Sequence, residues 1–166
     1  MKTTILKTIT GLTVILSLFI TLDVNAQTNF SGTWKRNDDE TIVEGLSLNS
    51  IPITLVVSQD ANALSVKRNS RNGQGDESSY IDVLKFDSGT SEVITPSKLK
   101  RISGATWSAD KKQLTQSFTS KDDQGNIQQS GKQIFCLSDD GKKLKVIVKL
   151  HYGDREFEGE EIFDKQ

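Results

Sequence analysis

The sequence predicts an all-β chain, an antiparallel up-and-down β-barrel of about 8–10 strands. Three observations carry this expectation. No window between residues 27 and 166 holds an apolar stripe at helical spacing; the nearest, residues 38–50, is interrupted by Gly45 and clustered Ser and Asn. Short runs of β-branched and aromatic residues alternate with polar turns at spacings of roughly 8–12 residues, which favours a sandwich or a barrel. The runs follow one another through short connections, so a meander is expected, and closing it on itself would remove its edges.

The first 26 residues stand apart. Lys2 and Lys7 precede an apolar stretch from Ile9 to Leu22, and Val24-Asn25-Ala26 places modest side chains where a signal peptidase reads them. The stretch has about 14 residues against the ~20 needed to span a bilayer, so a cleaved export signal over 1–26 is expected rather than an anchor. One domain, residues 27–166, then remains, secreted or periplasmic, with no membrane span after cleavage. Gln27 rather than Cys follows the cleavage point, so no lipid anchor is expected there.

The elements of that domain can be justified in order. Phe30–Arg36 opens it as a strand, and residues 38–50 form a long first connection. Ile53–Gln59 puts Ile53, Leu55 and Val57 on one face, then turns at Asp60–Asn62 into Leu64–Arg68. A loop at Asn72–Gly75 leads to Ser79–Phe86, and the short run Ser91–Thr95 stops at Pro96. Lys98–Ser108 and Gln113–Lys121 make a hairpin around Ala109–Lys112, and Asp122–Asn126 turns the chain into Ile127–Ser138. There Phe135 and Leu137 oppose Ile134 and Cys136. Gly141 can take positive φ in the turn Ser138–Lys142. The clearest strand follows: Leu144, Val146, Val148, Leu150 and Tyr152 on one face, with Lys145, Ile147, Lys149 and His151 on the other. After Gly153-Asp154, the run Arg155–Phe163 carries Glu on both faces, which leaves its register open.

Composition narrows the function classes. Apolar residues make up 34% of the 166, and adding the 12 glycines still leaves the chain below the roughly 45–50% usual for a globular domain, so the core is modest. Lys and Arg number 21 against 22 Asp and Glu; without Lys2, Lys7 and Asp23 the balance is 19 against 21. That near-neutral charge gives no general attraction to nucleic acid or anionic membrane. Cys136 is the single cysteine, so no internal disulfide can form.

Chemistry-bearing residues are sparse. His151 is the single histidine and alternates away from Val148 and Leu150, which places it at the surface and excludes a His-based metal cluster. Cys136 opposes Phe135 and Leu137, so a thiol aimed into the barrel would force those two outward; a small apolar role is expected. Asp122–Asn126 lacks the alternating ligands and terminal Glu of a calcium loop and reads as a turn, and Asp38-Asp39-Glu40 gives no stronger metal signal. Glu156, Glu158 and Glu160 read as a solvated strand face. No catalytic residue, metal or cofactor is expected, and the chain is not read as an enzyme.

The opening segment Asn29-Phe30-Ser31-Gly32-Thr33-Trp34-Lys35 resembles the Gly-x-Trp strand of lipocalin-like proteins. Thr106-Trp107-Ser108-Ala109-Asp110-Lys111 and Phe135-Cys136-Leu137-Ser138-Asp139-Asp140-Gly141-Lys142 are similar to segments of small exported lipocalin-like domains of environmental bacteria. The three segments stand in that family's order across most of residues 27–166. The resemblance implies a barrel closed at one end by Trp34, packed under a basic side chain from a late strand, with Arg155 the candidate here. It also implies that the opposite end can admit a small apolar molecule.

An eight-stranded barrel is just wide enough to be filled by side chains or to hold one small ligand. The function expected is therefore an exported barrel that binds a small apolar or amphipathic molecule. Trp107, Phe118, Phe135, Val146 and Val148 are its expected inner wall, and small inward residues at Gly104, Ala105 and Gly131 would mark a cavity. The alternative is a filled barrel acting through its surface as an interaction or inhibitory module in the cell envelope, with Ile42-Val43 and Leu46–Leu48 as the exposed apolar patch and its protein partner unspecified.

Overall fold

The fold is that of a computed structural model, which describes residues 26–166. The expected export signal, 1–26, lies outside the described residues save for Ala26. The strands are β1 (Gly32–Arg36), β2 (Ile42–Val43), β3 (Thr54–Gln59), β4 (Ala63–Arg71), β5 (Glu77–Lys85), β6 (Thr90–Ile94), β7 (Lys100–Trp107), β8 (Leu114–Lys121), β9 (Ile127–Leu137), β10 (Lys143–Tyr152) and β11 (Arg155–Lys165). They pair antiparallel in the order β5-β4-β3-β1-β11-β10-β9-β8-β7-β6, a nearly closed up-and-down barrel of ten strands with β2 as an eleventh, short piece.

The first and last long strands complete the ring: Trp34 pairs with Lys165 and Arg36 with Phe163. Beyond Arg36 the same edge of β11 passes to β2, where Val43 faces Gly159 and Ile42 faces Glu160. β1 and β2 are thus two pieces of one edge, broken at residues 37–41. The break is held by side chains: Asn37 Oδ1 accepts from the amides of Asp39 and Glu40 at 3.2 Å, and Thr41 Oγ1 accepts from Ile162 N at 2.9 Å. Gly159 permits the close approach, since a Cβ there would strike the backbone of Ile42 and Val43. The long first connection expected from the sequence therefore contains a strand that its polar flanks conceal.

On the far side of the ring, β5 and β6 form no ladder among the described residues. Side chains bridge this seam instead. Ser91 Oγ donates to the Val83 carbonyl, and Ser103 Oγ on β7 reaches across to Asp82 Oδ1 at 2.9 Å.

Alternation points every second side chain inward, and the interior has three levels. At one end Phe30, Trp34, Leu114, Phe135, Leu144 and Phe163 are fully buried. Phe30 stacks on Trp107 at 5.7 Å between ring centroids, and Phe86 meets Trp107 edge-on at 5.3 Å. Trp34 Nε1 donates to the Phe30 carbonyl at 3.0 Å, so the indole is both buried and satisfied. The basic side chain over Trp34 is Lys165, its Nζ 5.4 Å from the ring centroid. Arg155 instead lies 5.5 Å over Phe157, because its strand begins at the opposite end of the barrel. The expectation for Arg155 is corrected accordingly: register with β1 puts residue 165 beside Trp34.

The middle level is polar. Arg68, Asp82, Arg101, Ser103, Gln116, Gln133 and Glu161 all point inward and are nearly or fully buried. Beyond them, toward the turns β4–β5, β6–β7 and β10–β11, the interior opens.

Candidate functional site

The open end holds a cavity of about 640 Å³, within the range of roughly 300–1,000 Å³ typical of small-molecule sites. Its floor is the polar level, through Arg68, Arg101, Gln133 and Glu161, and its walls include Phe118, Leu150 and Phe157. Leu46 and Pro52 from the connection after β2 and Leu99 after β6 close in from the rim. That connection is pinned by Arg36, whose Nη1 donates to the carbonyls of Leu48 and Ile51, each at 2.6 Å. A single 3₁₀ turn at Leu48–Ser50, begun by Ser47 as cap, thereby sits against the mouth, with Ile51 buried beneath it.

The floor is a connected network. Asp82 accepts from Ser103 Oγ through Oδ1 and from Gln116 Nε2 at 2.7 Å through Oδ2. Arg101 Nε stands 3.0 Å from Asp82 Oδ2, and Arg68 Nε stands 3.9 Å from the same oxygen, so one carboxylate serves two guanidiniums. Arg68 Nη2 donates to Gln116 Oε1 at 3.0 Å and to Gln133 Oε1 at 2.8 Å. Arg101 lies flat on Phe118, 3.5 Å from the ring centroid, which fixes the plane of its guanidinium. Burial lowers its pKa from the ordinary guanidinium value, against the attraction of Asp82.

Three groups in this network are left over. Arg68 Nε and Arg101 Nε and Nη2 make no aligned hydrogen bond among the described residues, and Glu161 Oε2 likewise finds no partner. Buried polar atoms are nearly always paired, so these orphans mark the floor as unusual. Burial raises the Glu161 carboxyl to about pKa 7, although Arg68, Arg36 and Arg101 pull the other way.

Of the residues expected to form an inner wall, Phe118 lines the cavity. Trp107, Phe135, Val146 and Val148 also face inward, but they pack into the core and do not border the cavity. Trp34 closes the far end. Among the small residues expected to mark a cavity, Ala105 is inward and buried, whereas Gly104 alternates outward beside Thr90. Gly131 is in register with Leu150, and a Cβ there would strike the carbonyl oxygen of Lys149 on the paired strand.

Cys136 is half-buried on the outer face, its Sγ 3.6 Å from the Lys145 carbonyl, and burial raises the thiol pKa, which suppresses the nucleophilic thiolate. His151 is exposed. Asp122 spends its carboxylate on its own turn, accepting from the amides of Gln124 and Asn126. Glu156 and Glu160 pair with Lys149 and Lys145 across the outer face.

The residues that sequence reasoning missed are those of the polar floor. Their signal was present in the alternation. Arg68 shares a face with Leu64 and Val66, Gln116 with Leu114 and Phe118, Gln133 with Phe135, and Glu161 with Phe157 and Phe163. A polar residue in step with an apolar face is directed into the barrel. Compared with known protein families and with curated protein sequences, the chain matches none.

Proposed function

We propose that this chain is an exported, lipocalin-like barrel of a bacterial cell envelope that binds a small amphipathic molecule in the cavity at its open end. One observation carries the reading: a cavity of about 640 Å³ that sets the apolar side chains of Phe118, Leu150 and Phe157 beside a floor of buried, unpaired polar groups. Apolar walls supply affinity at about 25 cal/mol per Å² of surface buried, and a few polar groups fix orientation. The residues that act are Phe118, Leu150 and Phe157 on the wall and Arg68, Arg101 and Glu161 on the floor. The role in this reading is carriage or sequestration rather than catalysis.

The test is native mass spectrometry of the protein purified from its own envelope without detergent. A reproducible added mass that solvent extraction releases is the expected result. A bare mass that stays bare after incubation with the cell's lipid extract would overturn the reading.

A second reading, an envelope interaction module acting through its surface, draws on one feature. The strands flanking the open seam expose Ile81 and Val83 on β5 and Ile94 on β6. The patch first expected for this role is less suited to it, because Val43 is buried and Leu46 turns into the cavity.

A further inference from the structure

We infer that the cavity takes a monocarboxylate amphiphile, its head held by Arg101 and Arg68 beside Glu161 and its tail lying along Leu150, Phe157 and Leu46. The inference deepens the proposed function and rests on the cavity being a ligand site.

The argument is one of charge and of unused donors. Two guanidiniums, on β4 and β7, share the single carboxylate of Asp82, which is already engaged by Ser103 and Gln116. With Glu161 protonated, the floor holds one positive charge more than it can balance. With Glu161 ionised, the count balances, but its Oε2 and Arg101 Nη2 each remain without a hydrogen bond among the described residues. Either state leaves buried charge poorly compensated, which is costly in a low-dielectric interior. Arg36 does not relieve it, since its own guanidinium is bound to Asp38 and to the carbonyls of Leu48 and Ile51.

A carboxylate at this point settles both deficits. It accepts from Arg101 Nη2, a charge-assisted bond beside the Nε that Asp82 Oδ2 already faces at 3.0 Å. A protonated Glu161, close to its midpoint near neutral pH, donates to the same head. A cationic head would repel both arginines, and a neutral head would leave the excess charge in place. The preference for a long tail comes from the walls, where Phe118 carries Arg101 on one face and the apolar rim begins immediately above.

The experiment is calorimetric titration of the purified protein with dodecanoate, dodecan-1-ol, dodecylamine and acetate, each below its aggregation concentration. Dodecanoate is expected to bind at least about tenfold more tightly than the alcohol or the amine, and acetate to bind weakly or not at all. Arg101→Gln should weaken dodecanoate about tenfold while leaving dodecan-1-ol within about twofold. Glu161→Gln, whose amide still donates, should keep dodecanoate binding. Alcohol and acid binding equally would overturn the head-group assignment and leave the cavity reading standing. Acetate binding as tightly as dodecanoate would overturn the amphiphile and leave only an anion pocket. Failure of all four probes to bind the folded protein would overturn the cavity reading together with this inference. The head-group series on the unaltered protein decides the matter even where Arg101→Gln fails to fold.

Discussion

The two ends of this barrel are made by the same strands and the same alternation, yet one is solid and the other open. β11 passes through both: Phe163 fills the closed end, Glu161 lies in the polar level, and Phe157 borders the cavity. β9 repeats the sequence with Phe135, Gln133 and Gln129. Backbone geometry therefore does not decide which end is filled. What decides is how the inward side chains meet: bulky aromatics converge at one end, whereas at the other Ser70 and Gln129 stand among Phe118, Leu150 and Phe157 around an open space. The polar level between them separates a packed core from a space that a ligand can occupy.

The largest effect that sharpens this comparison is expected from matched truncations. Phe135→Ala removes a fully buried ring from the closed end and should destabilise the protein by about 4 kcal/mol, read as a lower denaturant midpoint. Phe118→Ala enlarges a space that is already present and should cost about 2 kcal/mol, since its neighbours lose fewer close contacts. Equal losses at the two ends would remove the distinction between a filled and an open half.

A slightly smaller effect is expected from Glu161. Burial holds its folded-state pKa at about 7, above the ordinary glutamate value of 4.5, so the folded state holds the proton more tightly than the unfolded chain. Its contribution to stability is complete below pH 4.5, falls as pH rises toward 7, and is lost above it, a change of about 3 kcal/mol. Arg68, Arg101 and Arg36 are the charges that face this carboxyl and moderate the loss. Glu161→Gln should abolish this component of the pH dependence and raise stability at pH 8 relative to the parent. Thermal unfolding at pH 4, 6 and 8 measures it, and an unchanged pH profile in the variant would show that the carboxyl is not buried as described.

The smallest effect belongs to the cap of the closed end. Lys165→Met keeps the aliphatic cover over Trp34 and removes the charge, so the loss should be about 0.5–1 kcal/mol, measured by denaturant unfolding. A larger loss would mean that Lys165 does more there than cover the indole.

Most of the barrel was legible in the sequence because its strands are two-sided. Leu144–Tyr152 shows strict alternation, and its observed strand, β10, begins one residue earlier. The hairpin at Ser138–Lys142 is closed as expected, with Gly141 at φ 67°. β2 was not legible, because two residues are too few to show a period and their pairing is granted by Gly159 more than a hundred residues away. The cavity floor was half legible. Alternation placed Arg68, Gln116, Gln133 and Glu161 inward, but their hydrophilic character argued for the surface, and only the ring of neighbouring strands brings Arg68 onto Gln116 and Gln133. Gly131 shows the converse limit: a small residue marks space only where the paired backbone does not approach it closely.

The seam between β5 and β6 has a consequence for how the chain acquires its structure. Every ladder on one side of it, from β3 to β5, joins strands adjacent in sequence, and so does every ladder on the other, from β6 to β11. The two arcs meet through paired strands where β1 and β2 lie against β11, and across the barrel through the Asp82–Ser103 clasp and the polar floor. Local hairpins form quickly, while contacts distant in sequence carry the entropic cost of closing the intervening chain. Each arc can therefore assemble as a meander on its own, and the joining of the first strand to the last is the slow, cooperative step. In refolding, amide protection should appear early within β9–β10 and last at Trp34 and Lys165, with the charged groups of the polar level among the final ones to be enclosed.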